Sequence, residues 1–509
     1  MPASPSTARA INDRLALRLL QQEGPLTAGQ LKQLTGLSRP TVADLVERLT
    51  AAGLIEMVGE AGELRRGPNA KLYGIVADRA YLAALDVRTE GVSVTVSDLL
   101  GRVLAEASVP IGDDTGTGPA VEQAVALVER AAKEAGAVGA PPREGVRAWG
   151  RLHTVGIGAP GLIDPATGEL RDSSGLPAWH RRLVEALQER LPGARVIVEN
   201  ETNLAALAEQ REGAARDRDT FVLLWLGQGT GAAVVLDGSL RRGASGGTGE
   251  IGFLPVPGTG GVPTATDCAG GFHSLASAGA IVALAQECGV RVTADGRGLG
   301  AAEVVRRAVW VADGAAAARA AGAAGAAGAV DAGAAAGHGD AGAAFDVSGT
   351  RVEVSGVRVE VSATPAEAYG PPAGVSAASA EAYGTRADLS GARPEGSGAG
   401  GPPAGVSAAP ADASVDAAAR FLDVLAERLA LGAASVAAVL DPGCVVLGGE
   451  VGQAGGEVLA GLVGERVRRM SPLVTEVRAS VLGGGAVLRG ALLTARDRAQ
   501  DELFAPPGR

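Results

Sequence analysis

Apolar, strand-like segments that end in glycine-rich turns recur along this chain, and they constrain its fold more than any other feature. The first three, YLAALDV, GVSVTVSD and RVLAEASVP, follow one another from Tyr81 onward. Later segments, TVGIGAPGLID, VIVEN and FVLLWLGQGTGAAVVLDG, alternate with helical patterns near 119–136 and 180–191. Strands first and βα alternation later predict an α/β body.

Length and charge indicate more than one domain. The chain has 509 residues, too many for a single core. Its net charge of −11 excludes a chain-wide affinity for nucleic acid. Residues 1–80, however, hold ten basic and eight acidic residues, a surplus with the sign expected of an N-terminal DNA-binding module.

The segment before Tyr81 has the pattern of a winged helix-turn-helix, which we place at residues 1–80. A first helix over 8–22 is expected to bury one face, formed by Ile11, Leu15, Leu19 and Leu20. Thr27 can cap a second helix, and Ser38 a third whose buried stripe is Val42, Leu45, Val46 and Leu49. Residues 54–75 then have two strand-like ends around a basic, glycine-containing tip, as in a wing.

Six residues of this module are candidates for DNA contact. Arg39 and Thr41 lie at the start of the third helix, where side chains reach base edges in a major groove, and Ser38 can meet a phosphate. The wing offers Arg65, Arg66 and Lys71 for minor-groove or phosphate contact. The alternative is that these are ordinary solvated surface residues.

Residues 313–412 have a different composition. They are rich in Ala, Gly, Pro and Ser and repeat EAYG and PPAGVSAA, which predicts a disordered insertion without specific function, with a transient hairpin at 351–362. Three cysteines form no paired framework, and no signal peptide or long apolar run is present. We therefore expect a cytoplasmic protein with no membrane partner.

Six segments in a fixed order resemble the ROK family of sugar kinases and related repressors. They are VGIGAPGLID, VIVENETNLAALAE, LGQGTGAAVVLDG, GEIGFLPV, LDPGCVVLGGEV and LGGGAVLRGA. The resemblance covers 81–312 and 413–509, and the N-terminal module matches the repressor branch. It implies an actin-like (ribonuclease H-like), two-lobed sugar-kinase fold with the ligand in the cleft.

The nucleotide site implied by this resemblance is degenerate. Asp86 of the first phosphate loop is present, but Arg88 and Thr89 replace its glycines and Glu90 its threonine. Side chains therefore stand where backbone N–H groups should approach phosphates. The second loop, with Gly229, Thr230 and Gly231, and the Gly448–Gly449 turn are kept, although strand turns also keep glycines for structural reasons alone.

The sugar site is implied to survive with substitutions. Polar residues crowd the junction of strand VIVEN and the following helix, where Glu201 stands at the position of the family's catalytic Asp. We read Glu201 as an eroded general base that binds a sugar together with Asn200 and Glu250. A looser alignment adds His273; the alternative for Glu201 is a helix-start charge that favours the helix dipole.

No cofactor is expected. Phe253 stands where the family has a zinc-binding His, and only Cys268 remains of its cysteine run, so we expect no metal. The sequence thus predicts a non-enzymatic, sugar-responsive transcriptional regulator that acts as a repressor. Its partners would be operator DNA and a sugar or sugar-phosphate effector, and it would act as a homodimer or a dimer of dimers. The alternatives are an ATP-dependent, glucokinase-like sugar kinase with an appended DNA-binding domain, or a dimerising scaffold with an inactive cleft.

Overall fold

A computed structural model describes residues 5–61, 70–112, 114–137, 152–171, 176–294, 297–298, 300–315 and 412–504. All of them belong to one compact unit, built from Met1–Ala315 and Ala409–Arg509. The predicted wing tip with Arg65 and Arg66, and the predicted hairpin at 351–362, lie outside the described residues.

The N-terminal module is a winged helix-turn-helix, as predicted. Its helices are α1 (Pro5–Gln22), α2 (Ala28–Thr35) and α3 (Arg39–Ala51), and its strands are β1 (Leu26–Thr27), β2 (Ile55–Ala61) and β3 (Ala70–Ile75), in the sheet order β1-β3-β2. Thr27 caps α2 in a reciprocal capping box with Gln30. Ser38 caps α3, and the predicted stripe of α3 is buried.

The predicted buried face of α1 was wrong only in its first half. Leu20 is buried and Leu19 is half-buried, but Ile11 and Leu15 are 58% and 39% exposed, and Ala16 and Leu17 are buried in their place. The apolar residues of this helix lie on more than one face, so its pattern fits several orientations. Packing against the rest of the module selects the face that contains Leu17.

A five-stranded mixed sheet forms the first lobe of the body. It contains β4 (Tyr81–Arg88), β5 (Gly91–Asp98), β6 (Val103–Pro110), β7 (Leu152–Ala159) and β8 (Arg195–Asn200), in the order β6-β5-β4-β7-β8. The pairs of β4 with β7 and of β7 with β8 are parallel. Helices α4 (Thr117–Glu134) and α5 (Trp179–Arg190) contribute their apolar faces to the core on one side of this sheet.

A second sheet repeats this topology in the other lobe. Its strands are β9 (Phe221–Leu226), β10 (Thr230–Leu236), β11 (Ser239–Arg241), β14 (Cys444–Gly448) and β15 (Glu476–Ala479), in the order β11-β10-β9-β14-β15. Here β9 pairs with β14 and β14 with β15 in parallel. Two halves with the same strand order constitute the two-lobed, actin-like α/β fold that the family resemblance implies.

Helices α6 (Glu201–Glu212) and α12 (Ala486–Leu503) join the two sheets. Both belong to the core that contains residues of β4, β9 and β14. The two helices approach each other so closely that a Cβ atom on Gly490 would lie 2.0 Å from the Leu204 carbonyl oxygen. Only glycine tolerates this contact.

The remaining elements cover the second lobe. They are α7 (His273–Ala276), α8 (Ala278–Glu287), α9 (301–315), α10 (Asp412–Leu440), α11 (Gly449–Met470) and the strand pair β12 (Thr293–Ala294) and β13 (Arg297–Gly298). Residues 313–315 are thus helical, so the ordered body continues slightly beyond the boundary drawn from composition. No helix in the described ranges is long and apolar enough to cross a membrane.

Candidate functional site

Two adjoining cavities lie at the carboxyl ends of parallel strands β4, β7, β8 and β14, where α/β sheets place ligands. We name them by the ligands that the family resemblance implies: the sugar cavity, about 640 Å³, and the nucleotide cavity, about 450 Å³. Leu176, Glu201, Trp225 and Gly229 line both. Glu201 therefore stands where the two cavities meet.

The sugar cavity has a polar and acidic lining. Glu201, Glu250 and Asp267 contribute carboxyl groups, and Asn200 and Thr248 contribute an amide and a hydroxyl. No Lys or Arg lines it within the part of the chain that the structure describes. Such a lining suits the hydroxyl groups of an uncharged sugar better than a phosphate.

Asn200 holds the Glu201 side chain in place. Its Oδ1 accepts hydrogen bonds from the backbone N–H groups of Thr202 (2.9 Å) and Asn203 (3.2 Å), which caps α6. Its Nδ2 donates to the Gly161 carbonyl oxygen (3.0 Å) and to Glu201 Oε2 (3.1 Å). The hydrogen-bonding capacity of this amide is thereby used within the protein. The geometry gives Asn200 a positioning role, and its direct contact with a sugar stays a prediction.

Burial raises the pKa of Glu201 to about 8. The residue's own backbone N–H opposes this shift, while the negative charges of Asp86 and Glu250 add to it. At neutral pH the carboxyl group is mostly protonated, so it can donate a hydrogen bond to a sugar oxygen as well as accept one.

The other predicted sugar-binding residues are separated by the structure. Glu250 lines the sugar cavity. His273, the first residue of α7, is absent from the described linings of both cavities, and a Cβ atom on Gly252 would lie 3.6 Å from the His273 Cβ. Burial lowers the pKa of His273, with the Asp267 carboxylate opposing. The loose alignment that suggested His273 is not supported by its position.

Arg88 spans the nucleotide cavity. Its Nε donates to Asp86 Oδ2 at 2.9 Å on the same strand, and its Nη1 forms an ion pair with Glu450 at the start of α11 in the other lobe. Burial disfavours the guanidinium charge, but Asp86 and Glu450 outweigh this and raise the pKa of Arg88. Burial raises the pKa of Asp86, and the Arg88 charge opposes that shift. One side chain thus ties the two lobes together inside the predicted phosphate region, where Thr89 and Glu90 also line the wall.

The surviving glycines divide into two groups. Gly229 lines both cavities, and Thr230 and Gly231 line the sugar cavity. Gly448 and Gly449 are absent from the described linings. Gly449 has a φ of 74°, and a Cβ atom there would lie 2.4 Å from the Leu226 carbonyl oxygen. The packing of β14 on β9 therefore accounts for this glycine without a nucleotide.

Trp225 is a site residue that the sequence analysis missed. It is the penultimate residue of the apolar strand β9, is 7% exposed and lines both cavities. An aromatic face at this position can pack against the apolar face of a sugar ring. The available signal was a Trp beside a glycine turn in a chain with only four Trp residues.

Glu199 was also missed. This buried residue accepts hydrogen bonds from the Asn200 backbone N–H (2.9 Å), Asn203 Nδ2 (3.0 Å) and Arg242 Nε (2.6 Å). It therefore fixes the start of α6, and with it Glu201. Glu199 is the fourth residue of VIVEN. Its place within a strand pattern gave no sign of these hydrogen-bond partners.

The residues do not fit the zinc ion that the fold family implies. Phe253 and Cys268 both line the sugar cavity, and the Cys268 side chain is half-buried. The described residues contain no group of three or more His, Cys, Asp or Glu side chains able to hold a metal ion.

The predicted DNA-reading residues lie together at the start of α3. Ser38 and Arg39 are exposed and Thr41 is half-buried. The Ser38 hydroxyl accepts from the Thr41 backbone N–H (3.3 Å) and lies 2.8 Å from Thr41 Oγ1. Lys71 is exposed on β3, opposite Glu60 of β2. Ser38 and Thr41 thus bond to each other, and Arg39 is the exposed cationic side chain at the start of α3.

Fold and site together define a winged helix-turn-helix joined to a sugar-kinase-like body. A model of the ROK family matches residues 143–333 and 406–498, and a MarR family model matches 11–66. The chain belongs to the ROK family.

The relatives include both a transcriptional regulator and a sugar kinase. The DNA-binding transcriptional dual regulator NagC of Escherichia coli K12 is 27% identical over 252 residues, 49% of this chain and 58% of NagC. The chain thus spans a little over half the length of that relative. A glucokinase of Halalkalibacterium halodurans is 36% identical over 138 residues, 27% of this chain and 41% of the glucokinase.

A solved structure covers nearly the whole chain. It is a ROK family transcriptional regulator described as a homolog of the E. coli MLC protein, with a TM-score of 0.60 and 17% identity over 98% of each chain. At this identity the likeness concerns the fold. It extends through the N-terminal module as well as the body.

Proposed function

We propose that this protein is a sugar-responsive transcriptional regulator, acting as a repressor, without kinase activity. The N-terminal module would bind a palindromic operator as part of a homodimer, and a sugar in the sugar cavity would change that affinity. The observation that carries the proposal is Arg88, whose guanidinium bridges Asp86 and Glu450 inside the cavity that a kinase needs for nucleotide phosphates. The family's regulators, NagC among them by its name, support the same conclusion.

The lining of the sugar cavity narrows the effector class. Three carboxyl groups and no described Lys or Arg favour an uncharged sugar over a sugar phosphate, because phosphate sites depend on cations or backbone N–H groups. We therefore expect a neutral sugar to change the operator affinity. The phosphorylated form of that sugar should have no such effect through this cavity.

The test is a fluorescence-anisotropy titration of the full chain with DNA from upstream of its own gene. A panel of hexoses, pentoses and N-acetylhexosamines is added, each with and without phosphate. Glu201→Ala should abolish the sugar response and leave operator binding intact, because α6 lies in the body and not in the DNA-binding module. Glu189→Ala, an exposed acidic residue of α5, is the matched control. Absence of specific DNA binding with and without every sugar contradicts the proposal.

The second candidate is a sugar kinase, favoured by Glu201 lining both cavities. ATP turnover with the same sugar panel separates the two. Glu201→Gln cannot act as a base but keeps hydrogen-bonding capacity. Phosphorylation that this variant abolishes would establish the kinase, whereas a Glu201→Gln protein that keeps its DNA response would establish the sensor.

A further inference from the structure

A third cavity lies where the DNA-binding module meets the body. It is about 570 Å³ in volume and is formed by α1, the end of α6 and α12. Four arginines line it: Arg14 and Arg18 from α1, Arg211 from α6 and Arg496 from α12. We call it the junction cavity.

Each acidic residue in its wall already has a cationic partner. Asp501 pairs with Arg14 across the junction. Asp497 pairs with Arg211 at 2.6 Å. Glu212 accepts from Arg489 Nη2 at 3.0 Å, just outside the lining. The carboxylates of the wall are therefore already in direct contact with cations other than Arg18 and Arg496.

Two arginines are left over. Among the described residues, neither Arg18 nor Arg496 has an ion-pair or hydrogen-bond partner, and Arg496 Nε is closed off from solvent. Burial lowers the pKa of Arg496; Asp497 and Glu212 oppose this, while Arg211 and Arg489 add to it. A partly buried guanidinium that makes no direct ion pair or hydrogen bond is unfavourable, so an anion in contact with it would be stabilising.

We propose that the junction cavity binds a small phosphate dianion, held by Arg18 and Arg496. Two uncompensated charges match a dianion, and the planar guanidinium fork suits phosphate oxygens. Because Arg18 belongs to the DNA-binding module and Arg496 to the body, the bound ion would link α1 to α12. This site is separate from the sugar cavity, and it stands whether or not a sugar is the effector.

The experiment is isothermal titration calorimetry of the full-length protein with inorganic phosphate at constant ionic strength. We expect one saturable site. Arg18→Gln and Arg496→Gln should each weaken it by about tenfold or more, the loss of a charge-assisted contact. Arg9→Gln removes a charge from an exposed position on the same helix outside the cavity and should leave the affinity unchanged.

Two results would overturn the proposal. One is no saturable binding up to about 10 mM phosphate, weaker than a millimolar site. The other is an equal loss in Arg9→Gln and Arg18→Gln, which indicates general charge screening. Arg18 is exposed, so its variant remains informative if Arg496→Gln fails to fold. Titration with glycerol phosphate then shows whether the site prefers a phosphate monoester or the free ion.

Discussion

At the scale of single residues, Glu201 combines partial burial with a place shared by two cavities. Its position could be predicted from sequence, because a polar cluster at the end of an apolar strand is a local pattern. The neighbouring ion pair between Arg88 and Glu450 could not be predicted. These two residues are separated by 362 positions in the chain, and no periodicity reports a pairing of that kind. Trp225 was missed for a related reason, since its burial fits core packing equally well.

Glu201 should make folding stability depend on pH. The folded carboxyl group has a pKa of about 8, above its ordinary 4.5, so between these values the folded state holds a proton that the unfolded state has lost. Stability should therefore fall as pH rises from about 4.5 to about 8. Glu201→Gln should remove this fall, measured as denaturation midpoints from pH 5.5 to 8.5 relative to wild type. An unchanged slope, or the same change in Glu189→Gln, would refute it.

The ion pair between Arg88 and Glu450 should couple the two lobes energetically. Both side chains are about one-third exposed, so we expect a coupling of about 1 kcal/mol, at the upper end for solvent-accessible pairs. A double-mutant cycle with Arg88→Ala and Glu450→Ala, followed by chemical denaturation, measures it. The exposed pair Arg182–Glu185 on α5 is the control, with about 0.3 kcal/mol expected. Equal couplings would contradict the inferred lobe contact.

At the scale of elements, helix starts were predictable and helix orientation was less so. The caps by Thr27 and Ser38 are contacts within four residues, so sequence spacing specifies them. The buried face of α1 depends on what packs against it. The apolar pattern predicted that Ile11 and Leu15 are buried, but both are exposed. The strands of both sheets were recognisable from their apolar runs, but their pairing came from the family resemblance.

Helix α3 allows its structural and DNA-binding contributions to be separated. Ser38→Ala should lower stability by about 1 kcal/mol through loss of the cap. Arg39→Ala should change stability by less than about 0.5 kcal/mol, because the side chain is exposed. It should nevertheless weaken operator binding by about 1–3 kcal/mol. Melting curves and anisotropy titrations measure the two effects; operator affinity unaffected by Arg39→Ala would exclude the proposed reading helix.

At the scale of the whole molecule, the proposed sensor must obey thermodynamic reciprocity. If sugar weakens operator binding by some factor, operator must weaken sugar binding by the same factor. Calorimetric titration of sugar into the free protein and into its DNA complex, compared with anisotropy data, tests this equality. Unequal factors would show that the sugar and DNA sites are not linked in the proposed way.

The packing of α12 on the first sheet has a consequence for folding during translation. This last helix packs on β4 and β7, and a Cβ atom on Gly156 would lie 2.5 Å from the Ala491 carbonyl oxygen. The first sheet is synthesised by Asn200, yet the helix that covers it ends at Leu503, roughly 300 residues later. At about 5–20 residues per second the ribosome needs about 15–60 s for that interval. During that time an apolar sheet face has no permanent cover, so the nascent chain should depend on chaperones until α12 has been synthesised.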